Sequence, residues 1–239
     1  MKTKFGWLSK INFLQDFASL IIAGVNPAIV HNIEKYNALK KVHYLSALDG
    51  LEGDYLEFGV FTGSSFAHSI RCCKCVANIN SDVLNTKYFG FDSFNGFGEL
   101  SSDDQHLFYT NDNFATNYNV VNKRIASIAR GINYELVPGF FNKTLKSGAI
   151  AYGIDKAKIV FIDSDTYESA KDALIFCGPI VQPGSFFILD DYFSYRGNKQ
   201  KGVKRAFDEF VVSQNLIVRR VLDYGMGGCV YIVSNVGLN

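Results

Sequence analysis

Glu57-Phe58-Gly59-Val60-Phe61-Thr62-Gly63-Ser64-Ser65 is the stretch on which the reading of this chain turns. A short apolar run, Tyr55–Val60, reaches glycine, and Ser64–Ile79 then reads as helical, so the segment predicts strand, tight turn and helix. Glycine lets a ligand approach the backbone closely, and the start of the helix offers free N–H groups. Phe61 stands where the middle glycine of Gly-x-Gly-x-x-Gly belongs, which weakens a dinucleotide pyrophosphate site. Glu57, two residues before the first glycine, suits a ligand with a positively charged amino-acid end better than a diphosphate. An ordinary βα turn is the alternative for this motif taken alone.

Outward from this turn, strand and helix signals alternate. Further strands are expected at Tyr88–Phe91, Tyr134–Val137, Lys158–Ile162 and Ser185–Leu189, with helices at about 115–130, Glu168–Cys177 and Gly202–Ser213. Leu216–Leu222 and Cys229–Val233 close the chain as two strands around Asp223-Tyr224-Gly225. Such alternation predicts an α/β, Rossmann-like fold: a mostly parallel sheet covered on both faces, with an antiparallel C-terminal hairpin at one edge. Residues 1–50 read as helical. Ile29, Val30, Ile33, Tyr36, Leu39, Val42, Leu45 and Leu48 recur at three- and four-residue steps, an amphipathic pattern. The expected organisation is an N-terminal helical segment, 1–50, serving as dimer surface or lid, and one domain over 51–239.

Composition narrows the function classes. Of 239 residues 48% are hydrophobic, which excludes a disordered chain, and 24 basic against 23 acidic residues leave no overall charge for nucleic acid or an anionic membrane. Aromatic residues make up 15%, enough for a phenylalanine-rich core with some rings left to line a pocket. Five cysteines, odd in number and clustered at Cys72, Cys73 and Cys75, do not form a disulfide framework, and a reduced cytoplasmic setting is expected. Lys2 and Lys4 precede an apolar stretch, but Lys10, Gln15 and Asp16 interrupt it. The later run Phe17–Val30 contains Asn26-Pro27 and is too short to span a bilayer, so a buried or dimer-forming helical region is expected there, and a homo-oligomer with it.

Carboxylates carry the chemistry. Asp92 in Gly90-Phe91-Asp92-Ser93-Phe94 ends a strand 35 residues after Glu57, where an acid can accept from both ribose hydroxyls of a nucleoside. Asp163 and Asp165 in Asp163-Ser164-Asp165-Thr166 lie at i and i+2 after an apolar strand and so share one face, although Asp165 or Thr166 could instead cap the next helix. Asp190-Asp191-Tyr192 ends the following strand, and adjacent carboxylates there repel unless a cation or a donor intervenes. Three or four carboxylates at neighbouring strand ends suit a hard cation such as Mg²⁺ or Ca²⁺. Solvated strand ends paired with Arg196, Lys201 and Lys204 are the plainer alternative. No histidine follows His106, so a histidine-based site around these acids is not expected. The polar stretch Asn95–Asn113 has the length of an active-site lid, and His106 in it is an alternative base.

Taken in order, Glu57–Ser65, Gly90–Phe94, Pro138-Gly139-Phe140-Phe141-Asn142-Lys143-Thr144-Leu145, Asp163–Ser169, Pro183-Gly184 and Asp190-Asp191-Tyr192 resemble the macrocin O-methyltransferase family over about residues 50–235. The resemblance implies a class I methyltransferase fold with seven strands, S-adenosylmethionine as methyl donor and Mg²⁺ as metal. It implies Asp163, Asp190 and Asp191 as metal ligands and Asp165 as general base. The donor would lie against Glu57, Gly59, Phe61, Thr62, Gly63, Ser64, Asp92, Ser93 and Asp163, with Gly139 and Phe140 near its adenine. The implied reaction is methyl transfer to a hydroxyl of a glycan, sugar nucleotide or other sugar-containing small molecule. Ser164 and Ser185 depart from glycines frequent in the family, and Val203 stands where a related branch of it often has Glu. The alternatives are an N-methyltransferase acting on an amino sugar, an NAD-binding oxidoreductase, and a binding module that keeps the fold without catalysis.

Overall fold

The apolar run before the glycine turn forms β1 (Asp54–Phe58), whose last four residues are buried. In the computed structural model, which describes residues 11–236 apart from 103, 108 and 110, β1 is an interior strand of a seven-stranded sheet. It pairs in parallel with β2 (Tyr88–Asp92) on one side and β4 (Ala157–Ile162) on the other. β3 (Tyr134–Pro138) extends the sheet beyond β2, and β5 (Val181–Leu189) extends it beyond β4, both in parallel. The chain then turns back: β7 (Gly228–Val236) inserts antiparallel between β5 and the edge strand β6 (Leu216–Tyr224). The order β3-β2-β1-β4-β5-β7-β6, with β7 alone running against the others, is the fold expected from the alternation of elements.

All six residues of β4 are buried, as both faces of a parallel sheet require. Successive side chains point to opposite faces, so two cores form. One packs Leu56, Phe58, Phe91, Val160 and Ile162 against α5 (Tyr167–Cys177) and α6 (Gly202–Ser213) through Ala170, Leu174, Phe207 and Phe210. The other packs Tyr55, Tyr88, Ile159 and Phe161 against α2 (Pro27–Leu48), α3 (Ser64–Val76) and α4 (Tyr118–Ile128). Element ends move by a few residues from expectation. The largest shift is in β5, which starts at Val181 rather than Ser185. Ala157 pairs with Val181 but Ile159 with Phe186, so a bulge on β5 accommodates Pro183, which has no N–H for a ladder.

The N-terminal region is helical, as α1 (Asn12–Gly24) and α2, with Asn26 accepting from the Ala28 N–H at 2.9 Å and Pro27 in the first turn. Lys2, Lys4 and Lys10 lie outside the described residues. The expected burial within the chain is not found for α1, which has no buried residue. The apolar stripe expected on α2 is split. Leu39 and Val42 are buried, but Ile29, Val30, Ile33 and Leu48 are exposed. The face laid on the sheet instead includes Lys35, His43 and Ser46: Asp163 past β4 receives Lys35, Ser69 on α3 receives His43, and Ser46 donates to the His43 carbonyl within the helix. No single helix among the described residues is long and apolar enough to cross a membrane.

His43 shows how α2 is seated. Its Nε2 lies 2.5 Å from Ser69 Oγ on α3, and its ring is stacked against Tyr55 and Tyr88. Burial, with the charges of Lys158 and His68, lowers its pKa to about 3. The unfolded chain therefore binds a proton below about pH 6.5 that the folded chain refuses, and this part of the stability is lost as pH falls from there toward 3. Between pH 7 and pH 5 the loss should be about 2 kcal/mol from this residue. Urea unfolding at both pH values should show His43→Gln losing less stability than wild type on acidification; equal losses would remove His43 as the cause.

Candidate functional site

One hydrogen bond just past each strand end carries the parallel ladder forward. The Gly139 N–H donates to the Asp92 carbonyl, Gly59 to Phe91, Asp163 to Phe58 and Asp190 to Ile162, at 2.8–2.9 Å. These bonds align the strand ends along the carboxyl edge of the sheet, where Gly59, Asp92, Asp163 and Asp190 border a cavity of about 670 Å³. Gly59 is required by contact: a Cβ there would meet the Asp163 carbonyl oxygen at 1.8 Å. Phe61, at the middle glycine position, keeps a glycine-like backbone, φ +48°. Asp92 Oδ2 accepts from the Val60 and Phe61 N–H groups at 2.7 Å, and Oδ1 from Phe94 N–H at 2.6 Å. Asp92 thus ties β2 to the glycine turn while its carboxyl stays on the cavity wall, and burial raises its pKa against those three donors.

Phe61, Thr62, Ser64, Ser93 and Phe140 also line the cavity. Gly63 and Gly139 are not among the residues that line it; both hold positive φ, +75° and +140°. Glu57 is wholly buried one layer back: Ser65 Oγ, itself on the wall, donates to its Oε1 at 2.6 Å, and the Tyr55 hydroxyl donates to Oε2. Burial raises the Glu57 pKa to about 7 against those two donors. Glu57 therefore reaches the cavity through Ser65.

Asp163, Asp190 and Asp191 present oxygens within 4.8 Å of one another. Asp165 joins them on the cavity wall, while Thr166 takes the capping role, its Oγ1 accepting from Ser169 N–H at 3.4 Å. Asp165 and Asp191 hold left-handed backbones, φ +62° and +51°, a strain of about 1–3 kcal/mol each that persists where the surroundings impose it. Burial and mutual repulsion raise the pKa of Asp163, Asp165 and Asp191. At Asp190 burial is outweighed by Lys35 and His31, and its carboxyl lies well below the usual range. Among the described residues, the buried side-chain oxygens and nitrogens without a hydrogen-bond partner are Ser164 Oγ, Asp190 Oδ1 and Tyr224 Oη, in or beside this cluster.

The counter-cations come from α2. Lys35 Nζ lies 2.6 Å from Asp190 Oδ2 and 2.9 Å from Asp163 Oδ2. His31 Nε2 lies 3.2 Å from the same Asp190 oxygen, and its Nδ1 accepts from the Met226 N–H at 3.1 Å, so Nε2 carries the proton toward Asp190. His31 thus reaches these acids from the other end of the chain, as a hydrogen-bond partner of Asp190. Of the cations in the plainer alternative, Lys204 pairs with Asp208. A signal for both residues existed in the helical spacing, because His31 and Lys35 lie eight and four residues before Leu39 on the face that α2 buries.

The stretch 95–113 roofs the cavity. Phe97, His106, Tyr109 and the following Phe114 line it, with Phe97 4.8 Å from Phe114 between ring centroids. Asn95 and Ala115 form an isolated bridge that closes the loop at its base. Asp104, an unforeseen anchor, is buried and caps α5, its Oδ1 accepting from Tyr167 N–H at 2.7 Å. The His106 ring lies tilted against Tyr109, 4.4 Å between centroids. Cys72, Cys73 and Cys75 are free thiols on α3, away from the cavity wall.

A family model described as macrocin-O-methyltransferase (TylF) matches residues 31–221, a span that opens at His31 and holds every carboxylate above. Mycinamicin III 3''-O-methyltransferase of Micromonospora griseorubida is 26% identical over 178 residues, covering 70% of this chain and 66% of that protein. An enzyme of Streptomyces olivaceus, 8-demethyl-8-(2,3-dimethoxy-alpha-L-rhamnosyl)-tetracenomycin-C 4'-O-methyltransferase, is 26% identical over 176 residues, 70% of this chain and 64% of its own length. The chain thus spans just under two thirds of the length of these relatives. Among solved structures, the O-methyltransferase NovP shares the fold, with a TM-score of 0.67 at 21% identity over 84% of this chain and 79% of NovP. With a match that runs from α2 to β6 and takes in most of the sheet and its acidic edge, the chain belongs to the macrocin-O-methyltransferase family.

Proposed function

We propose that this protein is an S-adenosylmethionine-dependent O-methyltransferase that methylates a hydroxyl of a sugar or sugar-containing small molecule, assisted by Mg²⁺. The observation that carries the reading is the four-carboxylate edge, with its unpartnered buried oxygens, beside a glycine turn on one cavity. The names of the two relatives, one of which specifies a rhamnosyl 4'-O-methyl transfer, support a sugar acceptor.

The donor set fits a hard divalent cation. Asp163, Asp190 and Asp191 offer oxygens close enough to share one ion, and Asp190 Oδ1 lacks any other partner. These three would hold it. When bound, such an ion lowers the pKa of a coordinated hydroxyl and fixes its direction.

The chain's own groups do the rest. The glycine turn lets the donor approach the backbone, and the remaining lone pair of Asp92 Oδ1 is available to a ribose hydroxyl. Phe140 lines the cavity, and in this reading its ring packs against the adenine. In the transfer, an acceptor oxygen lone pair forms the new C–O bond, the methyl–sulfur bond breaks, and its electron pair leaves a neutral thioether. The hydroxyl proton passes to Asp165. The donor arrives already activated, so holding both partners in line supplies much of the rate. The aromatic roof over the cavity limits water.

Two measurements test this reading. Asp92→Ala should weaken S-adenosylhomocysteine binding about ten- to a hundredfold by calorimetry, through loss of a charged acceptor and of the tie holding Phe61. Unchanged affinity would remove Asp92 from the donor site. Asp191→Asn keeps the size but weakens a hard-cation ligand, so turnover should fall by orders of magnitude with S-adenosylhomocysteine affinity nearly intact. EDTA should reproduce the loss in wild type and added Mg²⁺ reverse it; full activity in EDTA would favour an N-methyltransferase that uses the acids to bind a substrate amine.

A further inference from the structure

The cation that Asp163 and Asp190 hold in this structure belongs to the protein itself. Lys35 is 8% exposed on the 22-residue helix α2, and its Nζ bridges the Oδ2 atoms of two carboxylates from two different strands. The ammonium also lies 5.6 Å from the centre of the Phe161 ring. The bridge joins the acid just past β4 to the first of the pair just past β5. One ammonium does not satisfy the cluster: Asp190 Oδ1 still has no partner, and Asp191 is bonded on its other side to Ser194 Oγ at 3.0 Å.

A divalent ion held by Asp163, Asp190 and Asp191 must come within roughly 2.0–2.6 Å of an oxygen from each. It then shares two carboxylates with Lys35, and two like charges on the same pair in a half-buried wall repel. The other anchors of this half of α2 include the His31 Nε2 contact with Asp190, the Tyr36 carbonyl against His68 Nε2 at 3.1 Å, and hydrogen bonds to the β6–β7 turn. The Met226 N–H donates to His31 Nδ1, and the Gly225 N–H donates to Glu34 Oε2 at 2.6 Å. α2 also supplies His31, Asn32, Lys35 and Tyr36 to the cavity wall.

We infer that Lys35 is a tethered competitor of the divalent ion: it holds the strand-end carboxylates together without metal and gives them up as metal loads, so that metal loading loosens one anchor of α2. The inference rests on the reading of this cluster as a divalent-cation site. Lys35 acts through Asp163 and Asp190, as a positioning residue.

Calorimetric titration with Mg²⁺, in the absence of any acceptor, tests it on wild type, Lys35→Met and Lys35→Arg. Lys35→Met should bind Mg²⁺ at least tenfold more tightly than wild type, and Lys35→Arg, which keeps the charge, should stay within threefold of wild type. S-adenosylhomocysteine affinity should change little in both variants. Equal or weaker Mg²⁺ binding by Lys35→Met would overturn the competition while leaving the cation site standing. Absence of binding by wild type and Lys35→Met alike would overturn the cation site and the competition with it. Should Lys35→Met fail to fold, wild type answers alone. Reductive methylation followed by mass spectrometry should modify Lys35 at least fivefold faster with Mg²⁺ than without, and an unchanged rate would overturn the release.

Discussion

Four carboxylates are forced together at the ends of two neighbouring parallel strands, and their repulsion organises much of what surrounds them. The parallel ladder leaves little freedom: Asp163 donates its N–H to β1 and Asp190 donates its N–H to β4, so the two residues lie at one level. Such an arrangement survives in a cavity wall only with positive charge against it. Lys35 supplies part of that charge, and His31 adds a donor. A helix from the N-terminal region is thereby bound to the acidic edge of the sheet. The same helix turns polar side chains inward, with His43 and Ser46 following Lys35 along the buried face.

The glycine turn meets a different constraint. Gly59 has no alternative, because the backbone of Asp163 fills the place of a side chain. Phe61 has one, and the chain takes it: a phenylalanine holds the left-handed backbone that a glycine would adopt freely. Asp92 supports that conformation by accepting the Phe61 N–H. With Asp165 and Asp191 also left-handed, three strained residues line one cavity, each held by a neighbouring strand end or turn. Strain of this kind is maintained by rigid surroundings, and here the rigid part is the buried parallel sheet.

The roof and floor of the cavity are joined. Asp104 from the 95–113 stretch caps α5, the helix that follows Asp165 and Thr166, and the Tyr195 hydroxyl donates to the Asp104 carbonyl at 3.1 Å. The Tyr109 hydroxyl donates to Ser194, which in turn donates to Asp191. The aromatic roof is thus hydrogen-bonded to the two segments that present the carboxylates.

Local pattern was enough for the elements and their order. Apolar runs ending at Gly59, Asp92, Asp163 and Asp190 mark strands whose ends carry polar chemistry, and period and turn residues are properties of adjacent positions. The acids and the glycine turn were legible for the same reason, since each lies within a few residues of the strand that aims it. The partners were not. Lys35 and Asp163 are 128 residues apart and His31 and Asp190 are 159 apart, so only the packing of α2 across the sheet could pair them. The apolar spacing of α2 pointed to the wrong stripe because hydrophobic periodicity counts side chains without knowing what the opposite surface offers. Here that surface offers carboxylates and a buried serine, and a lysine and a histidine are what it binds.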